Sequence, residues 1–309
     1  MKQRIFTLRQ IIEEGTEFLK TAGIEEAALD AWYLLEYTTG ISRASYYGEP
    51  DRIVDERQAR QYMEYIGTRG KRIPLQHITG EQEFMGYPFY VDAHVLIPRQ
   101  DTETLVEEAV GIILQTAVLE ESAGGDEEGA QICGSPEYGK VRVLDMCTGS
   151  GCILLSILKL CPQAEGEGCD ISKDALAVAR RNAGRLKVDA RWICSDLFEN
   201  WGPRRYDVIV SNPPYIRTED IEGLKEEVRV HDPRIALDGG ADGLCFYRRI
   251  IEGSVSHIED GGYLLFEIGC DQGKDVAELM ESRGYQDVVI KKDLPGLDRV
   301  VMGRYNKDK

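Results

Sequence analysis

The stretch with the clearest capacity for chemistry is Asn212-Pro213-Pro214-Tyr215, which follows the apolar run 208–210 and Ser211. Two consecutive prolines can neither donate to a sheet ladder nor continue a helix, so this loop is expected to be stiff and extended. The Asn212 side-chain oxygen and the Pro213 carbonyl are acceptors that can face one NH2 group from two sides. Tyr215 adds a ring that can lie against a flat group. The pattern predicts a site for a planar amine or amide; the simpler alternative is a strand followed by a proline turn.

A second candidate lies upstream, where the sequence Asp-Met-Cys-Thr-Gly-Ser-Gly at 145–151 follows a predicted strand. Its glycines allow the backbone to pass close to a ligand at the amino terminus of a helix. Leu154 stands where a dinucleotide-binding loop would have its third glycine, which weakens that interpretation. The loop residues predicted to bind a cofactor are Asp145, Cys147, Thr148, Gly149, Ser150 and Gly151.

Two further acids follow predicted strands. Asp170, 19 residues after Gly151, ends the second strand of the series, where a carboxylate can accept both hydroxyls of a ribose. Asp196 follows the third strand, where an acceptor can meet the exocyclic amine of adenine, with Leu197 or Phe198 lining the ring. Each acid alone is equally well explained as a solvated loop end or a helix cap. Acids at successive strand ends together predict one nucleoside site.

The elements that must position these residues alternate between strand and helix from residue 141 onward. Seven strands can be assigned, ending near residues 145, 170, 195, 211, 268, 291 and 304. This rhythm predicts an α/β fold with a doubly wound, mostly parallel, Rossmann-like sheet and an antiparallel strand at its end.

The predicted domain organisation has three parts. Residues 1–80 show helical periodicity and form a small helical bundle, 81–100 form a β-hairpin linker, and 101–309 form the catalytic domain. The Gly- and Glu-rich stretch 120–138 is predicted to be a solvated surface loop.

Composition excludes several classes of function. The chain has 54 acidic and 37 basic side chains and a formal charge of -17, which argues against a large surface for gripping duplex nucleic acid. Its eight cysteines form no CxxC pair and no Cys/His array, so no metal site is predicted. No apolar run approaches the roughly 18 residues that a membrane span needs. We therefore expect a soluble, cytoplasmic protein without membrane contacts.

A ligand that carries a ribose, an adenine and a positive centre is S-adenosylmethionine. The 145–151 loop, Asp170, Asp196 and the 212–215 loop together resemble class I methyltransferases. Three further segments, Ile73–Gly80, Leu96–Glu103 and Val300–Tyr305, are similar to signatures of the peptide chain release factor glutamine N5-methyltransferases, the HemK/PrmC family. The chain departs from the family pattern with Met-Cys at 146–147 in place of Leu-Gly, and with Gly166 and Gly168 in the second strand of the series.

The resemblance implies methyl transfer from S-adenosylmethionine to the amide nitrogen of the glutamine in the Gly-Gly-Gln loop of release factors. It makes Asn212, Pro213, Pro214 and Tyr215 the catalytic loop. It adds Arg99 to the cofactor ligands, which also include Leu197 and Asn212. The helical bundle would help to dock the large protein substrate, and the enzyme would be a monomer with no stable nucleic-acid partner.

Three alternatives remain at this point. An N6-adenine methyltransferase acting on nucleic acid would use the same Asn-Pro-Pro-Tyr motif. It would also need a basic groove and an insert that recognises the target sequence, and neither is evident in this sequence. A non-catalytic adaptor that binds S-adenosylmethionine would have no need for the 212–215 loop to hold a substrate amide, a role called the amide clamp below. A nicotinamide-dependent dehydrogenase would want a third glycine where this chain has Leu154.

Overall fold

The computed structural model describes residues 6–123, 140–199 and 201–307. These residues form two compact units. The first unit holds the described residues up to Glu81 together with Lys225–His231, and the second holds Gln82–Leu224 and the chain from Asp232 onward.

The α-helices of these residues are α1 (Leu8–Thr21), α2 (Ala27–Thr39), α3 (Arg43–Gly48), α4 (Glu56–Arg69), α5 (Leu75–Thr79), α6 (Glu103–Ala123), α7 (Cys152–Leu160), α8 (Lys173–Leu186), α9 (Glu226–His231), α10 (Cys245–Ser254) and α11 (Gly273–Glu281). The β-strands are β1 (Glu81–Phe84), β2 (Tyr87–Tyr90), β3 (Val141–Met146), β4 (Ala164–Asp170), β5 (Arg191–Cys194), β6 (Tyr206–Ser211), β7 (Ile258–Glu267), β8 (Tyr285–Lys292) and β9 (Asp298–Tyr305).

In the first unit, helices α1, α2 and α4 pack around a shared apolar core. Their buried side chains include Ile11, Leu19, Leu34, Leu35, Tyr62 and Ile66. A buried ion pair also joins α4 to α2, with 2.7 Å between Arg69 Nε and an Asp30 carboxylate oxygen. Arg69 donates in addition to Glu227 of α9, at 3.3 Å, so a segment 158 residues away in sequence belongs to this unit.

The second unit is built on a sheet of seven strands in the order β5-β4-β3-β6-β7-β9-β8. The pairs from β5 to β7 are parallel, whereas β9 is antiparallel to both β7 and β8. Strand order reverses between β3 and β6, the position at which open sheets of this type bind ligands beyond the carboxyl ends of their strands. The predicted α/β, doubly wound, mostly parallel sheet and the helical N-terminal region are confirmed.

Alternate side chains of a strand point to opposite faces of the sheet. Because consecutive residues of the central strands are apolar, both faces of this sheet are apolar. On β3, Val143 belongs to one buried cluster and Leu144 to the other. On β7, Leu265 and Phe266 divide in the same way. Helices must cover both faces to bury these clusters, which explains the alternation of strands and helices in the sequence.

The two glycines that are unusual in a strand, Gly166 and Gly168, are explained by their neighbours. A Cβ on Gly168 would lie 2.5 Å from the ring of Trp192, and a Cβ on Gly166 would lie 2.5 Å from a methyl of Leu154. The glycines therefore let one large side chain from β5 and another from α7 lie directly against the β4 backbone.

Helix α6 continues to Ala123, past the predicted start of the acidic surface loop at residue 120. From residue 124 to 138 that predicted loop lies outside the described residues. Among the helices that the structure describes, none is both long enough and apolar enough to cross a membrane.

We expect Gly168→Ala to lower the free energy of unfolding by about 1–3 kcal/mol, because its methyl would force the Trp192 ring to move in a packed core. Urea unfolding followed by circular dichroism measures this change. Gly184→Ala is the matched control: Gly184 lies in α8, where an added methyl would have no neighbour within 4 Å, and the substitution should stabilise the protein by about 0.5–1 kcal/mol. Equal effects of both substitutions would contradict the packing explanation.

Candidate active site

The loop between β3 and α7 turns sharply through left-handed backbone conformations. Cys147, Gly149 and Gly151 have φ angles of 63°, 53° and 78°. The two glycines adopt these values freely, whereas a left-handed cysteine costs about 1–2 kcal/mol. Cys147 is thus a strained replacement at a position that suits glycine. The Thr148 N–H donates to the Cys169 carbonyl at 2.9 Å, which fixes the loop to the end of β4.

Asp145 lies beneath this loop and is fully buried. Its carboxylate accepts a hydrogen bond from the Thr148 hydroxyl at 2.5 Å. Burial raises the pKa of Asp145 from 3.8 to about 7, and the hydrogen bond from Thr148 opposes that rise. The geometry makes Asp145 a support for the turn of the loop.

Asp170 ends β4, and its carboxylate accepts one backbone hydrogen bond at each oxygen. Gly149 N–H lies 2.9 Å from Oδ2, and Ser172 N–H lies 2.8 Å from Oδ1. Burial raises the pKa of Asp170, while these backbone donors lower it. A carboxylate has about four lone-pair positions, so each oxygen can still accept from a ligand hydroxyl.

Asp196 and Leu197 follow β5. An Asp196 carboxylate oxygen accepts from the Arg249 guanidinium of α10 at 2.8 Å. Leu197 is buried and has a φ of 51°. The neighbouring Phe198 stacks on His257, with ring centroids 4.9 Å apart, so its ring is directed away from the cavity described below.

The Asn-Pro-Pro-Tyr loop leaves the end of β6. The amide nitrogen of Asn212 lies 3.5 Å from the Thr102 hydroxyl, the long limit of a hydrogen bond. The Tyr215 carbonyl accepts from the Gln272 amide at 3.0 Å, and its hydroxyl lies 3.4 Å from a Glu267 carboxylate oxygen. Gly239 packs so closely that a Cβ there would lie 2.7 Å from the Tyr215 Cα. The loop is therefore held from behind on several sides.

These strand ends enclose a cavity of about 250 Å³. The predicted site residues on its wall are Arg99, Cys147, Thr148, Gly149, Ser150, Asp170, Asp196, Leu197, Asn212 and Pro214. Four predicted residues do not line it: Asp145, Gly151, Pro213 and Tyr215. Gly151 instead packs under Trp192, and the Tyr215 ring packs in a buried cluster, so its stacking on a flat group stays a prediction.

The wall also contains residues that the sequence did not reveal, among them Thr102, Ile171, Phe246 and Arg249. Ile171 directly follows a strand-end acid, and its position could have been read as part of the site. Phe246 and Arg249 lie on α10 without any local motif, so only the tertiary fold brings them here.

Arg99 lies on the wall and holds a buried acid. Its guanidinium donates to an Asp232 carboxylate oxygen at 2.7 Å. Burial raises the pKa of Asp232 to about 6, and the positive charge of Arg99 opposes that rise. In the described part of the chain, no group of His, Cys, Asp and Glu side chains is arranged to hold a metal ion.

Comparison with known proteins agrees with this architecture. The family pattern of the PrmC N-terminal domain matches residues 10–80, and that of the methyltransferase small domain matches residues 135–241. A release factor glutamine methyltransferase of Geobacter sulfurreducens is 38% identical over 98% of this chain and 98% of its own length. The chain belongs to the release factor glutamine methyltransferase family.

Other members of this family are similarly close. The release factor glutamine methyltransferases of Caulobacter vibrioides and Clostridium acetobutylicum are each 37% identical to this chain. They cover 93% and 96% of it, and the matches span 93% and 97% of their own lengths. The similarity to the family thus extends over both units of the structure.

We expect Asp145→Asn to change how stability depends on pH. Asp145 gains a proton on folding between its ordinary pKa of 3.8 and its folded pKa of about 7. The free energy of unfolding of the unsubstituted protein should therefore fall, relative to that of the variant, as the pH rises from about 4 to about 7, by on the order of 3 kcal/mol. Above about pH 8 the difference should be constant.

Urea unfolding at a series of pH values provides the measurement. Asp189→Asn, at an exposed position, is the control and should keep the unsubstituted pH dependence. Parallel curves for the protein and Asp145→Asn would show that Asp145 does not gain a proton on folding.

Proposed function

We propose that this protein transfers a methyl group from S-adenosylmethionine to the side-chain amide nitrogen of the glutamine in the Gly-Gly-Gln motif of peptide chain release factors. The observation that carries the proposal is the presence of Asn212 and Pro214 on the wall of the same cavity as Asp170 and Asp196. The residues proposed to clamp the amide and those proposed to bind the nucleoside therefore line one cavity. The names of the relatives, which match over nearly the full chain, support the same substrate.

The residues of the cavity fit S-adenosylmethionine. Asp170 and Asp196 supply acceptors for ribose hydroxyls and for an exocyclic amine. Leu197, Ile171 and Phe246 supply apolar wall for a flat ring. Gly149 lies on the wall, and a Cβ built on it would have no neighbour within 4 Å. Because glycine has no side chain, this space is left open for a ligand.

The acceptor amide needs help because its nitrogen lone pair is delocalised into the carbonyl. When bound, S-adenosylmethionine supplies a methyl group on a positively charged sulfur. The Asn212 side-chain oxygen would accept a hydrogen bond from one amide hydrogen of the glutamine. The Pro213 carbonyl is proposed to accept from the other, although Pro213 does not line the cavity in this structure. These bonds orient the nitrogen and favour the positive charge that develops on it, which is a transition-state interaction. The proton is lost during or after transfer.

The same proposal gives the first unit a role in docking. None of the predicted site residues lies in it, and it carries exposed aromatic side chains at Tyr33, Tyr37 and Tyr47. An enzyme that modifies one glutamine of a large protein needs contacts remote from that glutamine, because a short loop offers little area for binding. We also propose that it acts in the cytoplasm, as a monomer.

The direct test is incubation of the full-length protein with methyl-labelled S-adenosylmethionine and purified release factor, followed by peptide mapping. Label on the glutamine of the Gly-Gly-Gln motif is expected. DNA and RNA serve as parallel substrates, and label on adenine instead of release factor would favour the nucleic-acid alternative, which the net charge of -17 does not.

We expect Asn212→Ala to lower the turnover number by about 10²-fold, equivalent to about 3 kcal/mol, because the lost oxygen acts mainly in the transition state. Steady-state kinetics on release factor measures the loss, and titration with S-adenosylhomocysteine should show binding within a few-fold of normal. Near-normal turnover of the folded variant would contradict the clamp.

We expect Asp170→Ala to act on cofactor binding instead. Removal of a carboxylate that accepts hydroxyl hydrogen bonds costs about 1.5–3 kcal/mol for each bond lost. Calorimetric titration with S-adenosylhomocysteine should therefore show a dissociation constant at least about tenfold higher. Asp174→Ala is the control, because Asp174 is an exposed acid in the first turn of α8. An unchanged constant for Asp170→Ala would place the ribose elsewhere.

A further inference from the structure

Behind the Asn-Pro-Pro-Tyr loop lies a buried acid that the mechanism above does not use. Glu267 is the last residue of β7 and is 2% exposed. It does not line the cavity, and its carboxylate faces the back of the loop, with Oε1 3.4 Å from the Tyr215 hydroxyl. A carboxylate in such a place is costly unless donors surround it.

Thr102 links this acid to Asn212. The Thr102 side chain is buried, and its hydroxyl lowers the pKa of the Glu267 carboxylate. Oε2 of Glu267 is buried and has no hydrogen-bond partner among the described residues, so a proton from the Thr102 hydroxyl would satisfy it. On its other side, the Thr102 oxygen lies 3.5 Å from the amide nitrogen of Asn212.

The polarity of this chain of contacts follows from elementary hydrogen-bond chemistry. An ionised carboxylate only accepts, so in a hydrogen bond between these two groups Thr102 donates its single proton to Glu267. The Thr102 oxygen can then only accept from its next neighbour. Asn212 must therefore present its NH2 group to Thr102 and its oxygen to the opposite side. That oxygen is the acceptor which the proposed clamp requires.

We propose that Glu267 and Thr102 are positioning residues, which hold the Asn212 amide in the orientation that turns its oxygen toward the glutamine substrate. The inference rests on the proposed clamp and adds what orients it. A protonated Glu267 can donate to Thr102, which frees the Thr102 proton for the Asn212 oxygen. The amide then turns over and directs its NH2 group at the substrate amide, where two donors face each other.

The charges around Glu267 support a switch between these two states. Burial raises its pKa from 4.5 to about 7, and the Arg299 guanidinium of β9 lowers it while the Asp101 carboxylate raises it. The Tyr215 and Tyr247 hydroxyls also face it, the first at the carboxylate and the second at the backbone carbonyl.

One further titratable group lies in the field of Glu267. The Cys152 thiol, at the start of α7, has a pKa that burial raises to about 12, so it stays neutral in the relevant range. Asp145 titrates in the same range as Glu267 but lies beneath the glycine loop. Asp145 is unchanged in Glu267→Gln, so any pH dependence that it causes would persist in that variant.

The experiment measures turnover number against pH, from about pH 6 to about pH 9, with full-length protein, saturating S-adenosylmethionine and release factor. The protein should lose turnover as the pH falls through about 7. Glu267→Gln should lower turnover about 10²-fold near pH 8.5 and abolish this pH dependence, because its amide can donate to Thr102 at every pH. The KM for S-adenosylmethionine should stay within a few-fold.

The contacts from Glu267 through Thr102 to Asn212 are called the relay below. Substitutions at Thr102 test this relay without altering the acid. Thr102→Val, which keeps the shape and removes the hydroxyl, should reproduce both effects of Glu267→Gln, and Thr102→Ser should restore turnover and its pH dependence. Glu259→Gln, on the same strand but paired with Arg142, is the matched control and should behave as the unsubstituted protein. If Glu267→Gln does not fold, the Thr102 pair decides.

The outcomes separate the relay from the clamp. If Asn212→Ala is inactive while Thr102→Val and Glu267→Gln keep normal turnover and pH dependence, the relay is wrong and the clamp stands. If Asn212→Ala is itself active, the clamp has failed and the relay with it. Lowered thermal stability with an unchanged pH profile would mean that Glu267 and Thr102 are only structural, which also overturns the relay.

Discussion

The hydrogen bond from the Gly149 N–H to the Asp170 carboxylate joins the ends of two neighbouring parallel strands, and the cavity depends on it. A partly buried carboxylate at a strand end must find donors, and here the Gly149 N–H of the adjacent loop and the Ser172 N–H supply them. The loop donates this hydrogen bond from its left-handed turn, and Asp170 lies on the cavity wall. Stability of the turn and shape of the cavity therefore have one cause.

Much of this arrangement could be predicted because it follows from local patterns. Alternating strands and helices indicated the sheet, and acids directly after strands marked the edge at which the cavity lies. What could not be predicted depends on partners remote in sequence: Arg249 on Asp196, and Thr102 beside Asn212. The sequence pattern predicted Asp145 as a cofactor ligand. In the structure it is fully buried beneath the loop and does not line the cavity. Whether a strand-end acid faces a ligand or supports a turn is decided by packing.

The site concentrates acids whose ionisation the fold disfavours. Burial raises the pKa of Asp145, Asp232 and Glu267 together. A protein selected for stability alone would carry neutral side chains at such places, because a buried charge is costly even when it is partnered. Their presence around one cavity fits the general observation that active sites sacrifice stability for function.

The first unit is discontinuous in sequence, since Glu227 completes the group around Arg69 although 158 residues separate the two. During synthesis the chain is made from its amino end, so helices α1 to α5 leave the ribosome long before α9 exists. Until α9 arrives, Arg69 has Asp30 but not Glu227 as an anionic partner. Strands β3 to β6 precede α9 in the chain, so they are translated before the amino-terminal unit can be completed. A complete amino-terminal unit therefore means that most of the parallel sheet has already been translated.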